Sequence, residues 1–318
     1  MRIISLLASA TEIIAELGCL EQMVGRSHEC DYPPEILHLP IVSTTQIDIN
    51  ASSEQIDAQI KQLVEQKDVV RGDAFKALSI YALDVNLLQQ LQPDVIFTQT
   101  QCEVCAVSER DVMQAIQHLT ELQPRVVSLT PYQLSDVWED VLRVGKALDH
   151  LIQAQELVRS YQQRLEQLQA ITTGFRKGKA APRVALLEWL DPLMATGNWT
   201  PELITYAGGE NIFGEIGQHA PWVTWEELQA TDPEILVLAP CGFTLERTLQ
   251  ELHVLKQHPA WNTLQAVQQG RVYAIDGNSY INRSGPRLVE SAAILARVIW
   301  GMETGIDVPE KSWQPVIS

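Results

Sequence analysis

The sequence predicts an α/β protein of two Rossmann-like lobes with parallel sheets, joined by one long α-helix. Three observations predict it. Short β-branched runs alternate with stretches of helical period, which is the signature of parallel βαβ units. One uninterrupted apolar stripe runs from Leu151 to Ile171. A second series of strand-like runs begins soon after it.

The first strand is residues 3–7, Ile3-Ile4-Ser5-Leu6-Leu7, and it hands over at once to a helix at Ser9-Ala10-Thr11-Glu12. Ser9 or Thr11 is expected to cap that helix. The cap is either ordinary or a helix N-terminus facing a ligand. Residues 23–25 form the second strand and lead into the polar turn Arg26-Ser27-His28-Glu29-Cys30-Asp31-Tyr32-Pro33-Pro34. Residues 51–83 read as an inserted helical elaboration: Ile56, Ile60, Leu63 and Val64 mark one amphipathic helix, which Val69-Val70-Arg71-Gly72-Asp73 interrupts. Residues 95–98 are the clearest strand, set between Pro93-Asp94 and Gln99, and 126–129 follow.

Residues 1–150 thus make an N-terminal α/β lobe. In the linking helix, 151–175, Leu151, Ala154, Leu157, Val158, Tyr161, Leu165, Leu168 and Ile171 recur at steps of three and four, one stripe about 30 Å long. Residues 176–318 make the C-terminal α/β lobe, with strands at 184–187, 235–238 and 272–275 and a polar, aromatic loop from Asn278 to Arg287. The loop after the first strand and the loop after the last are expected to face each other across a cleft. That arrangement suits a small-molecule binder better than a catalyst.

Composition narrows the function. A net charge of −17 over 318 residues argues against nucleic acid, whose phosphates need clustered Lys and Arg, and against an anionic membrane surface. No apolar run approaches the roughly 18 residues of a membrane span, so no membrane insertion is expected. The N-terminus lacks the apolar stretch and cleavage site of a secretory signal. As it stands the chain reads as cytoplasmic, or as periplasmic if a leader has been removed. Five cysteines, an odd number, do not suggest a fully paired disulfide framework. The chain is expected to be a monomer.

Ligands of open α/β sheets bind beyond the carboxyl ends of strands, and three groups of residues fall there. Trp189, Trp199, Trp222, Trp225 and Tyr280 sit near strand ends, several beside Pro or Gly. Their rings can stack on a flat ligand or simply fill the core. Trp222 and Tyr280 are expected on opposite lobes, facing one gap. His28 and Cys30 follow one strand while Cys102 and Cys105 follow another. These four have the ligand types of a zinc or iron site. A redox pair and unligated thiols are the alternatives. The strands ending at Gly25 and Thr98 are expected to be near neighbours. Glu188 and Asp191 are the one carboxylate pair worth weighing for acid–base work. No nucleophile elbow, phosphate loop or dinucleotide glycine pattern occurs, and Gly208-Gly209-Glu210-Asn211 reads as a helix end and turn. No enzyme activity is expected.

Taken in order, the Ser9-Ala10-Thr11-Glu12 segment, Asp31-Tyr32-Pro33-Pro34, Gly208-Gly209-Glu210-Asn211-Ile212-Phe213, Pro221-Trp222-Val223 with Asp232-Pro233, and Arg283-Ser284-Gly285-Pro286-Arg287 resemble the cobalamin (vitamin B12)-binding proteins of ABC importers. These belong to the helical-backbone, or class III, periplasmic-binding-protein family, which also carries iron–siderophores and haem. The resemblance spans nearly the whole chain outside 51–83. It implies a shallow cleft between two lobes joined by one long helix, and because one long helix resists bending the lobes are expected to close little. It also implies corrinoid contacts from His28 and Glu29, from Trp222, and from Asn278, Tyr280 and Arg283. Ser9, Thr11 and Trp189 complete the candidate ligand set. Docking on an ABC permease is implied through a carboxylate on each lobe, Asp84 and Glu226. Three features depart from the family: no export signal, polar Thr45-Gln46 where an aromatic is usual, and the Cys102/Cys105 pair. The alternatives are a cytosolic metal or metal-chelate binder (iron–siderophore, haem) using the Cys/His site, and a cytosolic enzyme or chaperone for a corrinoid.

Overall fold

The computed structural model describes residues 1–69, 81–100, 112–113 and 123–316. The chain forms two compact units, Met1–Pro131 with Ser135–Val158, and Tyr132–Leu134 with Arg159–Ser318. The helix Leu151–Arg176 passes from one to the other. Its 26 residues make about 39 Å at 1.5 Å per residue.

In the first unit the chain runs β1 (Ile3–Ser5), β2 (Met23–Arg26), β3 (Ser43–Thr45), β4 (Tyr81–Leu83), β5 (Val95–Gln99) and β6 (Arg125–Leu129). Four of these make a parallel sheet in the order β2-β1-β5-β6. Its inner strands β1 and β5 are buried at every position, which is why their runs read as apolar or small up to the polar Gln99 that ends β5. Ile4, Leu6, Val42, Tyr81, Leu88 and Ile96 form one core cluster. β3 and β4 pair separately and antiparallel, Thr44 opposite Ala82. β2 and β5 do not pair: β1 lies between them, so the strand ends expected to be near neighbours stand one strand apart, about 10 Å at ordinary spacing.

The second unit carries β7 (Arg183–Leu190), β8 (Leu193–Ala195), β9 (Glu210–Asn211), β10 (Ile235–Leu238), β11 (Val272–Ile275) and β12 (Trp313–Pro315). The order is β12-β11-β10-β7-β8, with β9 also on β7. The interior pairings are parallel, while β8 and β12 run antiparallel at the margins. Ala185, Leu187, Leu236, Leu238, Leu255, Trp261 and Ala274 pack in one core cluster. The helix Leu288–Trp300 is buried at ten of its 13 positions, so it reads apolar all round rather than striped.

The long helix buries Ala154, Val158, Tyr161, Leu165, Leu168 and Thr172. The predicted stripe is correct in its middle and misphased at its ends. Leu151 and Ile171 are exposed, whereas Thr172 is buried. Thr172 satisfies its hydroxyl on the carbonyls of Gln169 and Tyr206, both at 3.1 Å.

Candidate functional site

In the first unit, β1 turns directly into the helix Ala8–Glu16, whose N-cap is Leu7 with no side-chain cap. Ser9 and Thr11 therefore lie inside the helix and are buried; neither caps it. The Thr11 hydroxyl donates to the Leu7 carbonyl at 3.3 Å and to Cys30 Sγ at 3.0 Å. Cys30 is wholly buried and lies 3.6 Å from the Ser5 carbonyl. Its thiol belongs to the interior beneath β1.

His28 is placed differently. Its Nδ1 shares a hydrogen bond with Ser43 Oγ at 3.0 Å, and its ring lies 5.4 Å from Tyr81. Ser43 donates on to Ser27 at 3.0 Å, and Ser27 accepts from the Glu29 N–H at 3.2 Å. Nε2 is 3.2 Å from Glu29 Oε1, within ion-pair range but off the line of a hydrogen bond. His28 and Cys30 thus engage different surroundings. Among the described residues no three His, Cys, Asp or Glu side chains gather as a metal site. Cys102 and Cys105, the other half of the expected cluster, lie outside the described residues.

Arg26 holds this turn. It is buried, and its guanidinium donates to the carbonyls of Ser27, Cys30 and Leu37 at 3.2, 3.0 and 3.2 Å. Planar, fixed donors suit such a fan of carbonyls. The sequence signal for it is slight: one Arg after a strand, where a surface residue is the ordinary expectation.

In the second unit, the chain leaves β11 through a π-turn, Gly277–Ile281. The Asp276 carboxylate caps it by accepting from the Ser279 N–H at 2.7 Å. Burial pushes that carboxyl up, against the pull of the Ser279 bonds and of Arg283 and Arg287. The Asn278 N–H anchors the turn to the Phe243 carbonyl at 3.0 Å, and Trp199 Nε1 donates to the Ile281 carbonyl at 3.0 Å. At Gly277 a Cβ would stand 2.2 Å from the Pro240 carbonyl oxygen, so only glycine lets the turn approach so closely. Tyr280 is buried with Arg287 over its ring at 5.2 Å. Arg283 is buried too, and donates to Asn278 Oδ1 at 3.2 Å.

Trp189 is not in a loop. It lies inside β7, buried, its indole N–H on the Asp191 carbonyl at 3.1 Å and its ring 5.3 Å from Phe243. Glu188 turns to Thr196, 2.5 Å from its hydroxyl. Trp222 is 55% exposed. Its neighbours pair with β8 as an edge strand would: the Pro221 carbonyl accepts from the Ala195 N–H at 2.9 Å, and the Val223 N–H donates to the Leu193 carbonyl at 3.0 Å. Trp222 and Tyr280 both belong to the second unit, which corrects their expected placement on opposite lobes. Asp84 is an exposed N-cap, accepting from the Leu87 N–H at 2.9 Å. Glu226 is exposed in the first turn of the helix Trp225–Thr231, whose capping box is made by Thr224 and Glu227.

The chain matches the family model described as Periplasmic binding protein over residues 3–278. It is 25% identical over 301 residues to the vitamin B12-binding protein of Vibrio cholerae serotype O1, covering 91% of this chain and 86% of that one. Its fold is similar to a periplasmic heme binding protein from Pseudomonas aeruginosa, with a TM-score of 0.70 at 19% identity over 95% of this chain and 93% of that one. It is also similar to the periplasmic vitamin B12 binding protein of Vibrio cholerae, with a TM-score of 0.61 at 20% identity over 94% and 96%. Among the described residues no helix is long and apolar enough to cross a membrane. The expected cytoplasmic placement finds no support in these relationships. With its two α/β lobes joined by one long helix, the chain belongs to the periplasmic binding protein family, as a class III member.

Proposed function

We propose that the protein is the substrate-binding component of an ABC importer, working outside the cytoplasm, and that its ligand is a corrinoid of the cobalamin type. The observation that carries this reading is Trp222, a large flat side chain 55% exposed on a strand-end loop. Surfaces that keep such a side chain in water are commonly binding surfaces. The relationship to a vitamin B12-binding protein across 91% of the chain supports a corrinoid over other flat ligands. In this reading Trp222 stacks on the ligand, and Asn278, Tyr280 and Arg283 shape the second lobe's contact. His28 and Glu29 supply the polar contact of the first lobe. Ser9, Thr11 and Trp189, all buried, act behind the contact surface. Residues 151–175 serve as the link between lobes 1–150 and 176–318. Asp84 and Glu226, both exposed, meet basic residues of the permease. The protein works as a monomer and catalyses nothing.

The test is a thermal-shift titration with cyanocobalamin, hemin and a ferric siderophore in parallel. A ligand at 100 times its dissociation constant adds about 2.7 kcal/mol, which for lobes of this size raises Tm by about 5–10 °C. Cyanocobalamin is expected to give that rise and to co-elute as a red complex. A rise with hemin or the ferric siderophore, and none with cyanocobalamin, overturns the corrinoid assignment.

A further inference from the structure

Glu188 is the one charged residue in the buried run 184–190 of β7. β7 pairs with β8 through Leu187 opposite Ala195 and then Trp189 opposite Met194, so β7 spends one residue more than β8. Glu188 is that extra residue, and a bulge of this kind re-aims the side chain it carries. The carboxylate is buried and meets the turn after β8. The Thr196 hydroxyl donates to Oε1 at 2.5 Å, the length of a charge-assisted bond, and the Gly197 N–H points to the same atom at 3.4 Å. Burial pushes the carboxyl up to about 7, against the Thr196 and Gly197 bonds and the positive side of His219.

The turn it holds is the seat of the 214–222 loop. A Cβ on Gly197 would stand 2.4 Å from the Ala220 nitrogen. The Asn198 N–H donates to the Gln218 carbonyl at 2.7 Å, and the Gly217 N–H to the Asn198 carbonyl at 3.0 Å. One residue before Thr196, the Ala195 N–H holds the Pro221 carbonyl at 2.9 Å. Pro221 is followed by Trp222. The path from a buried carboxylate to an exposed indole is therefore continuous and short.

We propose that Glu188 is a positioning residue for ligand binding: through Thr196 and Gly197 it fastens the turn on which the 214–222 loop, and with it Trp222, is seated. The ligand half of this statement rests on the corrinoid reading, while the seating half does not. Glu188→Ala removes the oxygen that accepts from both Thr196 and Gly197, and Glu188→Gln keeps one oxygen in place. Amide hydrogen exchange, read by mass spectrometry without ligand, is expected to rise at least tenfold across residues 195–223 in Glu188→Ala. It returns toward wild type in Glu188→Gln, with β10 and β11 unchanged. Cyanocobalamin affinity is expected to fall about tenfold in Glu188→Ala. In a Trp222→Ala background the same change is expected to have less than a twofold effect, because Glu188 acts through Trp222.

Unchanged exchange in the 195–223 segment overturns the proposal. So does a loosened loop that binds cyanocobalamin as tightly as wild type while Trp222→Ala alone weakens it. If Trp222→Ala leaves cyanocobalamin affinity untouched, the corrinoid reading fails at Trp222, and the exchange result still decides the seating. Where Glu188→Ala does not fold, Thr196→Val removes the donor from the other side and is read in the same way.

Discussion

The Glu188→Gln substitution removes a buried titrating group whose proton leaves near neutrality. The folded carboxyl is pushed up to about 7 from an ordinary value of 4.5. Between those values the unfolded chain has released its proton and the folded chain retains it. Stability from this group therefore falls as pH rises through the interval, and levels off above about 7, where both states are ionised. A shift of this size corresponds to about 3 kcal/mol. The amide of the variant keeps an oxygen for Thr196 and Gly197 and carries no charge to desolvate, so it has no such slope. The difference in unfolding free energy, variant minus wild type, is expected to grow by about 3 kcal/mol between pH 4 and pH 8. In a thermal scan that is about 6–12 °C of relative Tm for a unit of this size. Paired urea titrations of the two proteins every half pH unit measure it, with a probe in the second unit. Asp140, pushed up to about 7 chiefly by burial and opposed by Arg143, imposes the same trend on the first unit, and it cancels in the difference. His219, whose charge bears on the same carboxylate, is controlled by repeating the pair in His219→Asn. A difference that stays flat from pH 4 to pH 8 would refute the reasoning, because it would mean that the carboxyl ionises as freely folded as unfolded.

Trp222→Ala should weaken cyanocobalamin binding by about 2 kcal/mol while moving stability by no more than about 0.5 kcal/mol, as calorimetric titration and thermal melts would show; equal losses in both would make it a core residue. Arg26→Met strips the donors from three carbonyls and should cost about 3 kcal/mol or more, seen in the urea midpoint of the first unit; a loss under about 1 kcal/mol would contradict its role in holding the 27–37 turn. Gly277→Ala should lower Tm and cyanocobalamin affinity together, since the new methyl meets two backbone carbonyls at 2.2 and 2.6 Å; wild-type values in both assays would show that the turn has room to give.

The strands legible in the sequence are those buried in the two sheets. β1, β2, β5, β6, β7, β10 and β11 each contain a short apolar or β-branched run beside turn residues; burial accounts for that pattern in all but the edge strand β6, which buries only Val127 and Leu129. β3, β8, β9 and β12 are two or three residues long and exist because a partner strand is at hand. Ser43-Thr44-Thr45 has no periodicity of its own to read. Ser9 and Thr11 mislead for a different reason. Their residue types favour caps, but Leu7 is already the N-cap and tertiary burial claims both hydroxyls. Trp189 sits two positions before Asp191, inside a strand that runs to Leu190. Trp222 is legible as a site candidate because Pro221 places it outside any periodic run. Glu188 is visible as a carboxylate, but its partners Thr196 and Gly197 are eight and nine residues away, across a hairpin whose bulge no local pattern announces.

Among the described residues, all strands of the first sheet lie between residues 3 and 129, and all strands of the second between 183 and 315. No described strand of either is inserted into the other's stretch of chain. Wherever the chain emerges N-terminus first, the first sheet can therefore close before any strand of the second appears. Two sheets built from similar apolar runs then never compete for one another's edges. The long helix lies between them in the chain, so the order of emergence itself sorts which strands can pair first.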